Sequence, residues 1–391
     1  KEMIKMSELY AILFEPEDWV AFRSNRRFTI GDFASQTFPK VETFYGAIRT
    51  AIIASYTGQG LTPNMKLNLP EELEEIVGNS RNPGKIRIFG PFIYKETSNG
   101  YKYYFPLPKN VYKVYKDEKS SESEYKLMVL HENIDYDFEA SDDPVGAQLY
   151  LNVPWIPDFQ DPDKPDTQFI ELRELEKLQN GEKFTLPEKE NLYSVETKIG
   201  IALEENAKRT REGALYSIQY YRFSDGGFFV LTTDEITVQL INDHICEKFG
   251  GVFLGSKQRW VRVKIQNIET NLFNPRTSQE YSSIALLTPA VFKNGLLPSQ
   301  QKFDDAKIVA VAGAKPIALS GWDLSTGKPK PIVHAVPAGV VYYLDKPLNV
   351  NPLKRPLSDE VGKIDFPGFG YGVWIPIISK KLKEVLEGEQ Q

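Results

Sequence analysis

The feature that most constrains the fold is the order of apolar segments in the second half of the chain. Two runs rich in β-formers, Leu215–Phe223 and Phe228–Thr232, flank the turn sequence Ser224–Gly227. This turn, with its Asp-Gly-Gly, predicts a β-hairpin. A helix should follow, with Asp234 as its N-cap and Gly250 at its end. Its apolar face would be formed by Val238, Ile241, Ile245 and Phe249.

The segment after this helix, Trp260–Gln266, alternates between two kinds of side chain. Apolar Val261, Val263 and Ile265 alternate with Arg262, Lys264 and Gln266. Since successive side chains of a strand point to opposite faces, we expect one apolar face and one cationic and polar face.

The N-terminal part supplies a strand and a helix. The apolar run Leu9–Phe14 ends at Glu-Pro and predicts a short buried strand. After Pro39, apolar residues recur at helical spacing, and Arg49 falls beside that stripe. The stripe is Val41, Phe44, Tyr45, Ile48 and Ile52.

The resulting order, β-α-insertion-β-β-α-β, is the ferredoxin-like arrangement that RNA-recognition modules also use. Residues from about 58 to 198 are rich in Pro, Gly, Asn and acidic side chains, and we interpret them as a large insertion with hairpins. Strand-like stretches resume after Asn274. The sequence predicts an α+β fold with two ferredoxin-like domains, residues 1–270 with the insertion and residues 271–391.

The 391 residues carry a formal net charge of −6, so a nucleic-acid site would have to be a local basic patch. There is no apolar run of membrane-spanning length, and Lys1–Tyr10 lacks the apolar core of a signal peptide. We therefore expect a cytoplasmic protein without a membrane partner. Cys246 is the single cysteine, which excludes an internal disulfide and a multi-cysteine zinc site.

Three groups of residues are candidates for RNA contact. Arginine forks suit bidentate phosphate contact, although the N-terminal ones could instead pair with nearby carboxylates. A basic strand with an embedded tryptophan suits single-strand binding, or is an ordinary polar sheet face. Alternating glycines let a backbone approach RNA, or form only a tight turn. The groups are Arg23, Arg26, Arg27 and Arg49; Lys257, Arg259, Trp260, Arg262 and Lys264; and Gly368, Phe369, Gly370, Tyr371 and Gly372.

Catalytic and metal motifs are missing from the sequence. His131, His244 and His334 are far apart, and none of them pairs at metal-ligand spacing. The acidic pairs Asp142-Asp143 and Asp304-Asp305 are more simply turn or helix-cap residues than metal ligands. There is no phosphate-binding loop, nucleophile elbow or dinucleotide fingerprint. We expect no catalytic residue, no metal and no cofactor.

Eight segments, in order along most of the chain, resemble the third subunit of type III-B CRISPR effector (Cmr) complexes, which belongs to the repeat-associated (RAMP) superfamily. The insertion is not covered by this resemblance. The segments are Phe22–Phe28, Thr43–Thr50, Ile199–Leu203, Glu212–Ser217, Ala285–Phe292, Ser320–Leu324, Ala335–Gly339 and Gly368–Gly372.

The resemblance implies a role without cleavage in antiviral defence. Such a subunit holds the 5′ repeat-derived tag of the guide RNA (crRNA), caps the foot of the filament and docks against the large polymerase-like subunit. The backbone subunits cut the target RNA, so this chain would meet target RNA only indirectly. The resemblance also implies a hairpin that separates the tag from the guide region.

Two alternatives remain at this point. A crRNA-processing endoribonuclease on the same RAMP fold would need a positioned general acid or base at the cleaved phosphodiester. An unrelated metabolic enzyme has no motif in its favour, and isolation of the chain as a stable homo-oligomer without CRISPR partners would make this interpretation attractive.

Overall fold

A computed structural model describes residues 8–22, 33–34, 37–59, 69–115, 123–132, 152–155, 162–188, 192–204, 207–313, 315–323 and 328–381. The α-helices in these ranges are α1 Val41–Thr57, α2 Glu71–Val77, α3 Leu172–Gln179 and α4 Glu235–Ile241. None of the helices so described has the length and apolar character needed to cross a membrane.

The strands are numbered in chain order. They are β1 Leu9–Pro16, β2 Trp19–Val20, β3 Phe33–Ala34, β4 Phe89–Thr97, β5 Gly100–Pro106, β6 Val111–Tyr115, β7 Ser123–Leu127, β8 Val129–Glu132, β9 Asn152–Trp155, β10 Phe169–Glu171, β11 Ser194–Glu204, β12 Ala207–Arg222, β13 Gly226–Thr232, β14 Gly251–Leu254, β15 Arg259–Ile268, β16 Ser283–Leu286, β17 Lys302–Phe303, β18 Ala306–Ala312, β19 Ile317–Leu319, β20 Trp322–Asp323, β21 Lys328–Pro329, β22 Val333–Ala335, β23 Val341–Leu344 and β24 Trp374–Ile377.

The chain forms two compact units, and both are discontinuous in sequence. The first contains Lys1–Tyr103, Glu190–Glu269 and Ala318–Val333, and the second contains Tyr104–Lys189, Thr270–Ile317 and His334–Gln391. The expected division at residue 270 therefore coincides with only one of the boundaries. Most of the expected insertion belongs to the second unit, because its strands and α3 pack with residues beyond 270.

The first unit is built on an antiparallel sheet in the order β4-β13-β1-β15-β14. Helix α1 lies in the chain between β1 and β4, and α4 lies between β13 and β14, which gives the predicted alternation of strands and helices. One face is covered by α1, where Phe14 of β1 meets Phe44 of the helix at a centroid distance of 4.9 Å. The predicted apolar face of α1 is buried, as expected.

The predicted hairpin around Ser224–Gly227 is wrong. Strand β12 pairs with β11 and β2, whereas β13 pairs with β1 and β4, so the turn joins strands of two different sheets. The neighbour that β13 has in place of β12 is β4, which lies inside the expected insertion. Its run Phe89–Tyr94 is buried throughout and lacks the alternation that would have marked it as a strand.

Helix α4 begins as predicted, because the Asp234 carboxylate accepts a hydrogen bond from the backbone N–H of Thr237 at 2.9 Å. The segment also ends at Gly250, whose φ is +73°. A π-helical turn, Asn242–Cys246, follows α4 and rotates the later residues relative to the α-helical face. For this reason Phe249 is 41% exposed, contrary to expectation.

A long antiparallel hairpin, β11–β12, forms a second sheet of the first unit, together with β2 and β3. Ile218 and Tyr220 of β12 pack with Ala21 and with Trp19 of β2. These contacts join the base of the hairpin to the chain that follows β1.

The second unit contains the five-stranded sheet β17-β18-β23-β16-β24. Trp374 and Tyr342 lie fully buried at the centre of its core. Within the described residues, α3 is the single α-helix of this unit, so a ferredoxin-like helix pair is not seen there. The fold as a whole is mixed, with helices and several antiparallel sheets.

Candidate nucleic-acid interface

An aromatic pair lies on the face of the first sheet that α1 does not cover. Phe253 of β14 is directly opposite Trp260 of β15, and their rings meet edge to face at 5.1 Å. Val261 and Val263, the alternating neighbours of Trp260, point to the opposite face and are buried. Phe253 is 60% exposed, so an aromatic surface is available at this edge of the sheet.

A glycine makes room for the tryptophan. A Cβ placed on Gly251 would lie 2.9 Å from the Trp260 ring and 2.3 Å from the carbonyl oxygen of Val261. The Trp260 indole therefore lies across the backbone of β14, where only glycine fits. Strand β14 is the last strand of the sheet, which leaves this position open at one side.

Arg262 and Lys264 lie on the same face as Trp260, as the alternation predicted. They share one carboxylate, since Glu15 of β1 lies 3.0 Å from Arg262 and 2.9 Å from Lys264. The hydrogen bond that Lys264 donates to Glu15 raises the pKa of Lys264. The three groups together carry one net positive charge, because two cations share one anion.

The turn between β14 and β15 holds the chain that follows β1. The backbone N–H of Ser256 donates to the carbonyl of Ala21 at 2.7 Å. Gly255 has a φ of +71°, and a Cβ there would lie 2.6 Å from the same carbonyl oxygen. Lys257 is exposed at the tip of this turn, with a φ of +66°.

Sequence reasoning missed a second aromatic and cationic group, formed around Trp19. The Lys198 ammonium lies 2.7 Å from the centroid of the Trp19 ring, and the guanidinium carbons of Arg259 and Arg222 lie at 5.3 and 5.8 Å. We call Trp19, Lys198, Arg222 and Arg259 the Trp19 cluster. Its members come from four strands, so no local sequence pattern could have revealed it.

The Trp19 cluster is partly neutralised by two carboxylates. Arg222 lies 3.1 Å from Glu196 and 3.6 Å from Asp18, and these three side chains are each between one third and one half exposed. At such exposure the ion pairs contribute little stability. Three cations and two carboxylates leave a local charge of about +1, which matches the charge of the sheet face.

Arg49 lies half-buried on α1. Its Nη2 donates to the carbonyl of Asn82 at 2.9 Å, and its guanidinium carbon lies 5.4 Å from the Tyr45 ring centroid. Burial lowers the pKa of Arg49 to about 10, partly offset by Tyr45, Glu42 and Asp323. Two of the segments that carry the resemblance, one around Arg49 and one around Asp323, are thus close together.

The glycine-rich loop is largely buried in the second unit. Phe369 and Tyr371 are 1% and 2% exposed, and Gly370 and Gly372 are buried too. The Thr288 hydroxyl donates to the carbonyl of Gly370 at 2.9 Å. Gly370 and Gly372 have φ values of +79° and +80°, which favour glycine for conformational reasons. Only Gly368 of this loop is partly exposed.

The remaining sequence candidates either lie outside the described residues or form ion pairs at the surface. Arg23, Arg26 and Arg27 lie outside the described residues, as do Asp142 and Asp143. Asp304 pairs with Arg355 at 2.9 Å, and Asp305 pairs with Lys346. Among the described residues no cluster of three His, Cys, Asp or Glu side chains could hold a metal. Burial raises the pKa of the half-buried Cys246 thiol to about 11.

The fold and this surface define an α+β protein with a candidate RNA-binding sheet face. The chain belongs to the Cas_Cmr3 family of CRISPR-associated proteins, whose family model matches residues 12–377. This membership makes it a component of a type III CRISPR effector. No curated protein matched the chain.

Two solved structures illustrate the structural similarity. One chain belongs to the cryo-EM structure of the type III-B Cmr-beta complex bound to cognate target RNA and AMPPnP. It is 19% identical, with a TM-score of 0.44, over 85% of this chain and 86% of that chain. Another belongs to the crystal structure of a Csm1-Csm4 cassette in complex with cA3. It is 14% identical, with a TM-score of 0.37, over 86% of both chains.

Proposed function

We propose that the chain is the third subunit of a type III-B Cmr complex, that it binds the 5′ tag of the guide crRNA, and that it does not cleave RNA. It would cap the foot of the filament beside the large polymerase-like subunit and contact the backbone subunits. Membership in the Cas_Cmr3 family supports the placement in a CRISPR effector. The finer role follows from the resemblance of the eight sequence segments.

The observation that carries the RNA-binding part is the aromatic pair of exposed Phe253 and half-buried Trp260 next to Arg262 and Lys264. RNA-recognition modules stack bases on aromatic side chains of an open sheet face, and adjacent cations attract the backbone. In the first unit the aromatic pair and the cations lie together at the exposed β14–β15 edge of one antiparallel sheet. Each stacked base is worth about 1–3 kcal/mol.

The charges favour modest affinity for the isolated chain. The sheet face and the Trp19 cluster each carry a local charge of about +1, whereas the whole protein carries −6. Few phosphates can therefore be neutralised at once, and phosphate contacts supply most of the non-specific affinity. Tight binding of the tag would then require the large subunit beside it.

The hairpin β11–β12 is our candidate for the separating hairpin that the resemblance implies. It is the longest pair of strands among the described residues, with 11 and 16 residues. On β11, Val195, Ile199 and Ile201 are 48%, 70% and 52% exposed. These β-branched side chains point to one face, because they occupy alternate positions, and could wedge between neighbouring nucleotides.

The test is a titration of tag RNA against the chain with and without the large subunit. We expect tighter binding with the subunit, and a loss on the order of tenfold for Phe253→Ala combined with Trp260→Ala. The matched control is Phe249→Ala, which removes an exposed phenylalanine outside this sheet face. Equal affinity of the double variant and the control would refute binding at this face.

The same preparation tests the absence of cleavage. The purified chain is incubated with full-length repeat RNA, and the products are separated on a denaturing gel. Intact RNA is the expected result. A defined cut within the repeat would contradict the scaffold role and assign the chain to the processing endoribonucleases.

A further inference from the structure

A small polar cleft lies in the second unit, where the C-terminal end of α3 meets the chain after Thr270. Its volume is about 260 Å³. The residues that line it are Glu176, Gln179, Asn180, Asn271, Asn274 and Arg276. None of them belongs to the segments that carry the resemblance or to the sheet face described above.

Gln179 presents a fixed hydrogen-bond acceptor at this cleft. The residue is 1% exposed, and its Nε2 donates to the carbonyls of Leu272 and Pro376 at 2.9 and 2.8 Å. Because both Nε2 hydrogens are used, the amide cannot exchange its oxygen and nitrogen. The Oε1 atom is buried and has no hydrogen-bond partner among the described residues. A buried acceptor without a donor is unfavourable unless a ligand or water completes it.

Arg276 supplies the complementary donor. Its Nε is also buried and has no hydrogen-bond partner in the described part of the chain. The guanidinium carbon lies 5.4 Å from the centroid of the Tyr281 ring, and the Tyr281 hydroxyl donates to Asn180 Oδ1 at 3.1 Å. The cation–π contact places the guanidinium beside Tyr281. The cleft is therefore lined by one buried acceptor and one buried donor that have no partner in the described part of the chain.

Several other polar atoms of the cleft already have partners. Glu176 Oε1 accepts from the Thr270 hydroxyl at 2.6 Å and from the backbone N–H of Asn271 at 3.1 Å. The Asn274 amide donates to Asn271 Oδ1 at 2.9 Å. Glu176 and Arg276 bring opposite charges, so the lining has no net charge to attract a phosphate, and its polar groups disfavour an aliphatic group.

The occupant must therefore be small, uncharged and able to donate and accept hydrogen bonds. The edge of every nucleobase carries both kinds of group when it is unpaired. Pockets for drug-sized molecules are about 300–1,000 Å³, so a cleft just below this range suits a single base.

We propose that this cleft receives one nucleobase of the bound RNA, which donates to Gln179 Oε1 and accepts from Arg276 Nε. The proposal rests on the RNA-binding function proposed above. It adds a base-reading site in the second unit to the stacking surface of the first. The half-exposed Arg276 side chain moves aside to admit the base and then closes on it.

The test is an abasic scan of the tag RNA, in which each base in turn is removed and binding is measured beside the large subunit. With the unmodified protein, we expect one position at which removal weakens binding about tenfold, or about 1.4 kcal/mol. With Arg276→Leu, the intact tag should bind about tenfold more weakly, and removal of that same base should have no further effect. Gln179→Met, which keeps the size of the side chain, is the second variant for the same scan.

The matched control is Arg173→Leu, the same charge change on the exposed side of α3 outside the cleft. It should behave like the unmodified protein at every position. If tag RNA binds but no position distinguishes Arg276→Leu from the unmodified protein, the base site is refuted and RNA binding stands. If Arg276→Leu instead weakens the large subunit's binding with an unchanged scan, the cleft receives a protein side chain and our proposal is wrong.

If the tag does not bind at all, the proposed function fails and free nucleosides decide about the cleft. Adenosine, cytidine, guanosine and uridine are titrated against the unmodified protein and Arg276→Leu, with saturation-transfer NMR as the readout. A saturation-transfer signal that is present with the unmodified protein and lost with Arg276→Leu would support the base site. Equal signals, or none, would refute it.

Discussion

The guanidinium carbon of Arg259 lies 5.3 Å from the ring centroid of Trp19, so the first residue of β15 contacts the first residue of β2. Lys198 of β11 and Arg222 of β12 approach the same ring. This half-buried tryptophan therefore joins the central sheet to the base of the long hairpin.

Trp19→Ala should loosen the hairpin, because the ring is the common partner of three cations and packs against Tyr220 at 5.9 Å. We expect a loss of about 2 kcal/mol in the free energy of unfolding, since the side chain is only partly buried. Faster hydrogen exchange confined to β11 and β12 would confirm the anchoring role. Exchange that increases equally throughout the first unit would contradict it.

Glu15→Gln should increase the affinity for RNA. The change removes the one carboxylate shared by Arg262 and Lys264, so the sheet face gains one positive charge. It should cost about 1 kcal/mol of stability, as expected for a partly exposed ion pair. Affinity and unfolding midpoint are measured together.

The companion variant for this surface is Arg262→Gln, which should weaken RNA binding. It should also reduce the slope of log affinity against log salt concentration by about one, because one phosphate contact is lost. Weaker RNA binding by Glu15→Gln would contradict this prediction. It would mean that Glu15 contributes more by orienting the two cations than it costs by neutralising their charge.

Arg49→Glu should lower the stability of the first unit, and any loss of RNA binding should follow from that destabilisation. The guanidinium is half-buried and donates to the Asn82 carbonyl, so the variant would place a carboxylate beside that oxygen in a poorly solvated position. We expect a loss of about 2–3 kcal/mol. Arg81→Glu, the same charge reversal at an exposed arginine of the first unit, is the control and should leave the melting temperature nearly unchanged. A stable Arg49→Glu variant that fails to retain crRNA would instead assign Arg49 to the RNA site.

Gly370→Val should destabilise the second unit by about 1–3 kcal/mol while the folded protein keeps its affinity for RNA. The residue has a φ of +79° and is buried, and its carbonyl accepts from Thr288. The matched control is Gly295→Val, because Gly295 has a φ of +77° and a Cβ there would meet no atom within 4 Å. If Gly370→Val lowers the free energy of unfolding more than Gly295→Val does, the difference gives the contribution of packing around the loop. Loss of tag binding by folded Gly370→Val would show that RNA approaches the loop after all.

Acidification should destabilise the first unit through His244. Its ring stacks on Tyr56 at 4.5 Å and its Nδ1 lies 3.0 Å from the Ser55 hydroxyl oxygen. Burial lowers the pKa of the imidazole, with Asp243 and Lys248 as smaller influences of opposite sign. Below the ordinary pKa of about 6.5 the unfolded chain binds more protons, so stability falls as the pH drops towards the folded-state pKa.

Replacement of this histidine provides the measurement. His244→Gln should flatten the stability profile between about pH 5 and 7, because glutamine does not titrate in this range. The free energy of unfolding is measured for both proteins across the range. An unchanged profile would assign the slope to other groups.

Local patterns in the sequence determined several elements correctly. Strand β1, helix α1, the Asp234 cap and the alternation in β15 were all predicted, because each depends on periodicity or on a residue within one turn of the element. The two faces of β15 follow from its side-chain alternation alone. Family membership was likewise predicted from dispersed segments, and the family model confirmed it over residues 12–377.

The tertiary structure decided which segments become neighbours. Strand β4 pairs with β13 although the two are far apart in the sequence, and the continuous burial of Phe89–Tyr94 removes the alternation that would have indicated a strand. The glycine-rich loop is buried because Thr288 and Leu357, both outside the loop, pack around it. Phe253, the Trp19 cluster and the cleft at Gln179 depend in the same way on contacts between distant segments. Sequence periodicity reports the environment along one element, whereas a binding surface depends on which elements the core brings together.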